Sequence, residues 1–167
     1  MDLRDSIKLL RERDLLEVFE GPSSVDYEIA SYMIKVDGKK AILVERPMLR
    51  DGRIAPFRVF GGFATSRETL AVAMGMNSIR ELKERMKKAL NDVRGPLEAE
   101  PKWKKTKLTL NDLPILKHYS GEPGPYMTAS IVIFKDEGMF FSSYHRMLPI
   151  SKDKLVLRAV EGRKLSR

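Results

Sequence analysis

Five consecutive residues, Ser142, Ser143, Tyr144, His145 and Arg146, bring together two hydroxyls, a phenol, an imidazole and a guanidinium. They sit inside "FFSSYHRMLPI" (140–150), whose apolar flanks read as β-strand. Strand alternation sends Ser142, Tyr144 and Arg146 to one face and Phe141, Ser143, His145 and Met147 to the other. Arg146 is the group best suited to chemistry. A guanidinium stays charged at any working pH and can hold a carboxylate through two parallel N–H donors. His145 is one of only two histidines. No Ser–His–carboxylate or His-x-x-x-His spacing surrounds it, which argues against a nucleophilic triad or a zinc site. His118 lies in "LKHYSGEPGPY", read as an exposed loop. Glu17, Glu20 and Glu45 show no arrangement suited to acid–base work. The plain alternative is a half-solvated strand with no ligand.

The chain holds 31 Lys and Arg against 23 Asp and Glu, a net charge of +8. That field attracts phosphate, nucleic acid or an acidic partner. Nucleic-acid binding would call for aromatics interleaved with the basic residues. Only Trp103 stands beside the lysines of "WKKTK" (103–107), so nucleic acid is not the expected partner. There is no cysteine, hence no disulfide and no thiolate metal site. The charged N-terminus is no signal peptide, and no apolar run is long enough to span a membrane. A cytoplasmic protein is expected. The apolar fraction of 43% suffices for a buried core.

The elements that must position these groups follow from periodicity and punctuation. Asp2 caps a helix to about Arg13, followed by a strand at "LLEVFE" (15–20) and a turn at "GPSS" (21–24). Ile29, Met33 and Val36 form a helical stripe, and "KAILVER" (40–46) reads as a buried strand. A turn at "RDGR" (50–53) leads to a strand at "PFRVF" (56–60). Gly61 and Gly62 precede a helix, with Thr65 and Glu68 at capping-box spacing. Two glycines there could cradle phosphate, but without a full fingerprint a plain turn is favoured. Ser78 opens a helix whose apolar stripe is Ile79, Leu82, Met86 and Leu90.

"GPLEAEPKWKK" (95–105) marks a linker and a domain boundary. Beyond it "TKLTL" (106–110), "YMTASIVIFK" (126–135), "MFFSSYHRMLPI" (139–150) and "KLVLRAV" (154–160) read as strands, the last three an antiparallel meander. The fold class expected is α+β: a small α/β domain over 1–95, then a partial β domain over 106–167.

The segment "PILKHYSGEPGPYMTASIVIFKDEGMFFSSYHRMLPISKDKLVLRAVEGRK" resembles the middle of UbiD-type decarboxylases, and "SYHRM" is similar to the archaeal branch. "MDLRDSIKLL" and "VFGGFATSRETLAVAMG" resemble the family's opening, so the likeness covers nearly the whole chain. Family members are more than twice as long. The resemblance implies reversible decarboxylation of unsaturated or aromatic acids with prenylated FMN, and a middle domain like a flavin-binding split barrel. For the archaeal branch it implies anhydromevalonate phosphate as substrate.

By that resemblance Arg146 falls where the family's arginine lies beside flavin and substrate carboxylate, a catalytic role. Tyr144 and His145 fall where the backbone approaches the flavin, and Gly162 and Arg163 fit a turn near its phosphate. Two positions depart from the family. Phe141 stands where it keeps a metal-ligating asparagine, and Lys164 where it keeps a metal-ligating histidine. Neither side chain, with the lysine protonated, ligates a metal. No metal is therefore expected; either the Lys164 ammonium stands in for some of its charge against a phosphate, or the position has drifted out of use. The catalytic glutamates would lie on another chain, leaving this one inactive alone. A meander ending near residue 160 would leave an unpaired apolar edge at Leu155, Val156 and Leu157, inviting a second subunit or a second copy. An Arg146 locked in an ion pair inside a closed sheet would contradict this half-pocket. The alternatives are a non-catalytic relative that binds a partner or phosphate, and a basic nucleic-acid-binding protein.

Overall fold

The computed structural model describes residues 1–92, 100, 104–162 and 165. Among these residues four α-helices and two three-stranded sheets make an α+β architecture. In chain order these are α1 (Leu3–Glu12), β1 (Leu16–Ser24), α2 (Glu28–Val36), β2 (Ala41–Met48), β3 (Val59–Gly61), α3 (Arg67–Ala73), α4 (Ile79–Asn91), β4 (Met127–Asp136), β5 (Met139–Pro149) and β6 (Leu155–Leu157). No helix among the described residues is long and apolar enough to cross a membrane.

The first sheet runs β1-β2-β3. β1 pairs parallel with β2 across α2, and β3 pairs antiparallel on the other side. β2 is central, and Ala41, Ile42, Leu43 and Val44 are all buried. Its alternate side chains serve two cores. Ala41 and Leu43 pack with Leu10, Leu16, Val72 and Ala73 beneath α1 and α3. Ile42 and Val44 pack with Val25, Ile29 and Leu116 beneath α2. Leu116 belongs to the segment leading to the second sheet. That segment is strapped to the first half by paired backbone bonds, Tyr27 N–H to the Lys117 carbonyl and Lys117 N–H to the Val25 carbonyl, each 3.0 Å.

Several local expectations change in three dimensions. "GPSS" is no turn: β1 continues through it to Ser24, with a register slip between Phe19 and Pro22. β1 is an edge strand, where a missing proline N–H costs no ladder bond. The cap of α3 is Ser66 with Thr69, not Thr65 with Glu68. Thr65 Oγ1 instead donates to the Asp37 carboxylate and accepts the Gly38 N–H at 2.6 Å, tying this loop to the end of α2. "TKLTL" forms no strand. Thr109 donates its N–H and hydroxyl to Asp112 at 2.8 and 3.0 Å, and a 3-10 turn, Leu110–Asp112, follows. Side-chain capping there outcompetes strand propensity. β3 and β6 keep only three residues each. Along α4 only Leu82 is buried, while Met86 and Leu90 are exposed.

The glycines before α3 have a packing reason. A Cβ on Gly61 would meet Met33 Cε at 2.4 Å, and Gly62 adopts φ +72°, where only glycine is unstrained. The Met33 contact accounts for Gly61 and the positive φ for Gly62, with no phosphate required.

Candidate functional site

The second sheet is the meander β4-β5-β6. Glu137 and Gly138 both take positive φ, the backbone a two-residue hairpin turn demands. The resulting register places Ile131 opposite Tyr144, Ile133 opposite Ser142 and Ser130 opposite His145. One face therefore carries Ile131, Ile133, Phe140, Tyr144 and Arg146. It is open: Ile133 is 70% exposed and Tyr144 76%. The other face carries Phe134, Phe141, Ser143 and His145, all half-buried. There Ser143 Oγ and His145 Nε2 are 2.8 Å apart, and the rings of Phe134 and Phe141 stack at 5.6 Å. The sheet is not closed, and β6 pairs only with β5 among the described residues.

Tyr144 and Arg146 thus share a face and His145 does not, so a planar ligand on the open face would reach His145 through backbone alone. Arg163 and Lys164 lie outside the described residues. The ring of Phe141 is engaged with Phe134. No group of three metal-ligating side chains occurs among the described residues.

Arg146 is held but not enclosed. Its Nη2 donates to Glu122 Oε1 at 3.3 Å, and its guanidinium carbon lies 4.7 Å from the Tyr126 ring centroid. The Arg146 side chain is 58% exposed, whereas that of Glu122 is 2% exposed. Glu122 Oε2 accepts the His118 backbone N–H at 2.7 Å, with His118 Nδ1 at 3.8 Å. The His118 N–H bond, helped by the Arg146 charge, holds the Glu122 carboxyl below the usual range against its burial. His118 is in a loop, as expected, but half-buried rather than exposed. The guanidinium keeps donors free, so a carboxylate or phosphate could join it on the open face.

Glu122 and Tyr126 were not legible as site residues. Glu122 is one acid in a Gly- and Pro-rich loop, 24 positions from Arg146, and no local periodicity links the two.

Clefts also lie elsewhere among the described residues. A larger one, about 480 Å³, sits between the 49–53 turn and the end of β5, lined by Leu49, Arg50, Arg53, Leu110, Ile115 and Ile150. Its cations are already paired, Arg50 with Asp26 at 2.5 Å and Arg53 with Asp51 and Asp112 at 2.8 and 2.9 Å. A neutralised cleft of this kind has little attraction for an anion. A smaller one, about 370 Å³, lies beside Arg13, Arg67 and Ser78.

Comparison with known proteins covers nearly the whole chain. The N-terminal domain model of 3-octaprenyl-4-hydroxybenzoate carboxy-lyase matches residues 7–89, and the Rift-related domain model of the same enzyme, UbiD, matches residues 88–167. The anhydromevalonate phosphate decarboxylase of Archaeoglobus fulgidus is 28% identical over 98% of this chain, which corresponds to 36% of the relative. Among solved structures, the UbiD-class enzyme HmfF from Pelotomaculum thermopropionicum in complex with FMN superposes with a TM-score of 0.77 at 26% identity. That match covers 98% of this chain and 37% of HmfF. The vanillic acid decarboxylase ShVdcCD of Sedimentibacter hydroxybenzoicus, in closed form, reaches 0.83 at 13% identity, over 99% of this chain and 38% of that one, a likeness of fold alone. The chain therefore spans little more than a third of the length of the relatives it matches.

Proposed function

The chain belongs to the UbiD family of carboxy-lyases, and from that premise we propose that it forms the opening part of a decarboxylase for an unsaturated or aromatic carboxylic acid. Residues 1–95 and 106–167 would be its two units, the second contributing one wall of a flavin site. The observation that carries the reading is Arg146: a guanidinium fixed by a buried carboxylate, more than half exposed, on a sheet face that nothing covers among the described residues. The archaeal relatives are named for anhydromevalonate phosphate, so a phosphorylated unsaturated acid is the substrate class we favour.

One feature suits a flavin here: Arg146 offers free N–H donors beside the exposed Tyr144 ring. At the positions where the family keeps an asparagine and a histidine as metal ligands this chain has Phe141 and Lys164, so we propose no metal held by these positions. A bound prenylated FMN would supply the electron sink for the pair released when the carbon–carboxylate bond breaks. In this chain Arg146 would hold the departing carboxylate in line, and the open apolar face would exclude water once covered. Arg163 and Lys164 remain our candidates for the flavin phosphate.

Among the described residues the open face of β4 and β5 carries no Asp or Glu, and we assign the carboxylic acid that reprotonates the product to a second polypeptide or a second copy packed there. The test is to purify the chain with and without a polypeptide carrying the remaining length of the family, both supplied with prenylated FMN. Turnover of an unsaturated acid should need both chains, and Arg146→Ala should lower it at least about a hundredfold. Full turnover by Arg146→Ala would end the proposal.

A further inference from the structure

We propose that Glu122 is a positioning residue that sets the guanidinium of Arg146 for an incoming carboxylate; this rests on the reading of Arg146 given above. A half-exposed arginine in water samples many rotamers, and each lost rotamer weakens the hold on a ligand. Here the guanidinium has a fixed floor. The Glu122 side chain is 2% exposed, and the His118 backbone N–H pins its far oxygen at 2.7 Å. The near oxygen takes one N–H of Arg146 Nη2 at 3.3 Å, and the Tyr126 ring supports the guanidinium carbon at 4.7 Å. A guanidinium has five N–H donors. Arg146 makes no other hydrogen bond or ion pair among the described residues, so its remaining donors are unpaired on a side chain more than half exposed.

The geometry separates two roles that a carboxylate beside an arginine can play. As a counter-charge, Glu122 weakens the pull of Arg146 on any anion, and removing it would tighten anion binding. As a clamp, Glu122 orients the fork, and removing it loosens binding although the net charge becomes more positive. The monodentate contact, the buried floor and the aromatic support favour the clamp.

The experiment compares wild type, Glu122→Gln, Glu122→Asp and Tyr126→Leu in the full chain. Side-chain NMR of Arg146 reports guanidinium rotation, and crotonate, a small unsaturated carboxylate, is the probe for binding. The expected result is a restricted Arg146 signal in wild type that averages in Glu122→Gln, with crotonate affinity down about tenfold and partial recovery in Glu122→Asp. An unchanged Arg146 signal in Glu122→Gln, or equal or tighter crotonate binding, would overturn the inference. Should Glu122→Gln not fold, Tyr126→Leu keeps the test: several-fold weaker binding supports the clamp, and none refutes it. Arg146→Ala separates this from the functional reading. If Arg146→Ala leaves crotonate binding intact, the functional reading falls and the inference with it; if Arg146→Ala abolishes binding while Glu122→Gln leaves it unchanged, the functional reading stands and the inference alone falls.

Discussion

Ile133→Asp is the sharpest perturbation of the open sheet face. Ile131, Ile133, Phe140 and Tyr144 are 54%, 70%, 64% and 76% exposed. Fully burying a large apolar side chain is worth about 1.5–3 kcal/mol. Covering what these four still expose would therefore contribute about 5 kcal/mol to an association, an upper figure because ordering costs oppose it. Ile133 accounts for about 1–2 kcal/mol of it. Aspartate forfeits that share and adds an unpaired carboxylate to the interface, so the complex should lose about 3 kcal/mol or more, on the order of a hundredfold in affinity. The isolated chain should barely respond, because the site is already in water. Only strand propensity applies there, at most about 1 kcal/mol. Thermal unfolding followed by circular dichroism measures the response of the isolated chain. Calorimetric titration with the complementary polypeptide, or sedimentation for a second copy, measures the other. Equal affinity for wild type and Ile133→Asp would refute a covered face. So would a collapse in the stability of the isolated chain comparable to a core substitution.

The core makes the opposite prediction. Leu43→Ala, at 1% exposure in the central strand, should cost about 3–5 kcal/mol by denaturant titration, with Arg146 still in place. Ser66→Ala should cost about 1 kcal/mol by the same titration, because Ser66 accepts the Thr69 N–H at 3.1 Å, whereas Glu68→Ala should cost far less. Glu28 bears on acid stability. The Tyr32 hydroxyl at 2.6 Å, and then the Ser24 N–H, lower its pKa in the folded chain. A depressed carboxylate pKa gives stability that is present above the unfolded value of about 4.3 and lost as pH falls through the lower folded one. Glu28→Gln should flatten that limb in unfolding curves taken between about pH 5 and 2, with little change in the slope near neutrality.

Much of the architecture was written locally. Asp2 and Ser78 announce helix starts through side-chain oxygens that reach N–H groups two or three residues ahead, and both caps form. The β4–β5 hairpin follows from two alternating runs around Asp136–Met139. The placing of Tyr144 and Arg146 together, away from His145, needs only the two-residue period of a strand. These rules act over a few residues, and the sequence carries them whole.

What lies further apart was decided by packing. Whether Thr65 or Ser66 caps α3 depended on Asp37 and Gly38, which draw Thr65 away. The fate of "TKLTL" depended on Asp112, since a strand without a partner has no ladder to offset a cap. The seating of Arg146 depended on Glu122, brought beneath it only when the loop from Lys117 docks beside Val25 and the hairpin folds over it. Residue types alone specified a fixed positive charge on an exposed strand face. The direction that charge points came from a carboxylate buried at long sequence distance, because burial is a property of the assembled chain and not of any window along it.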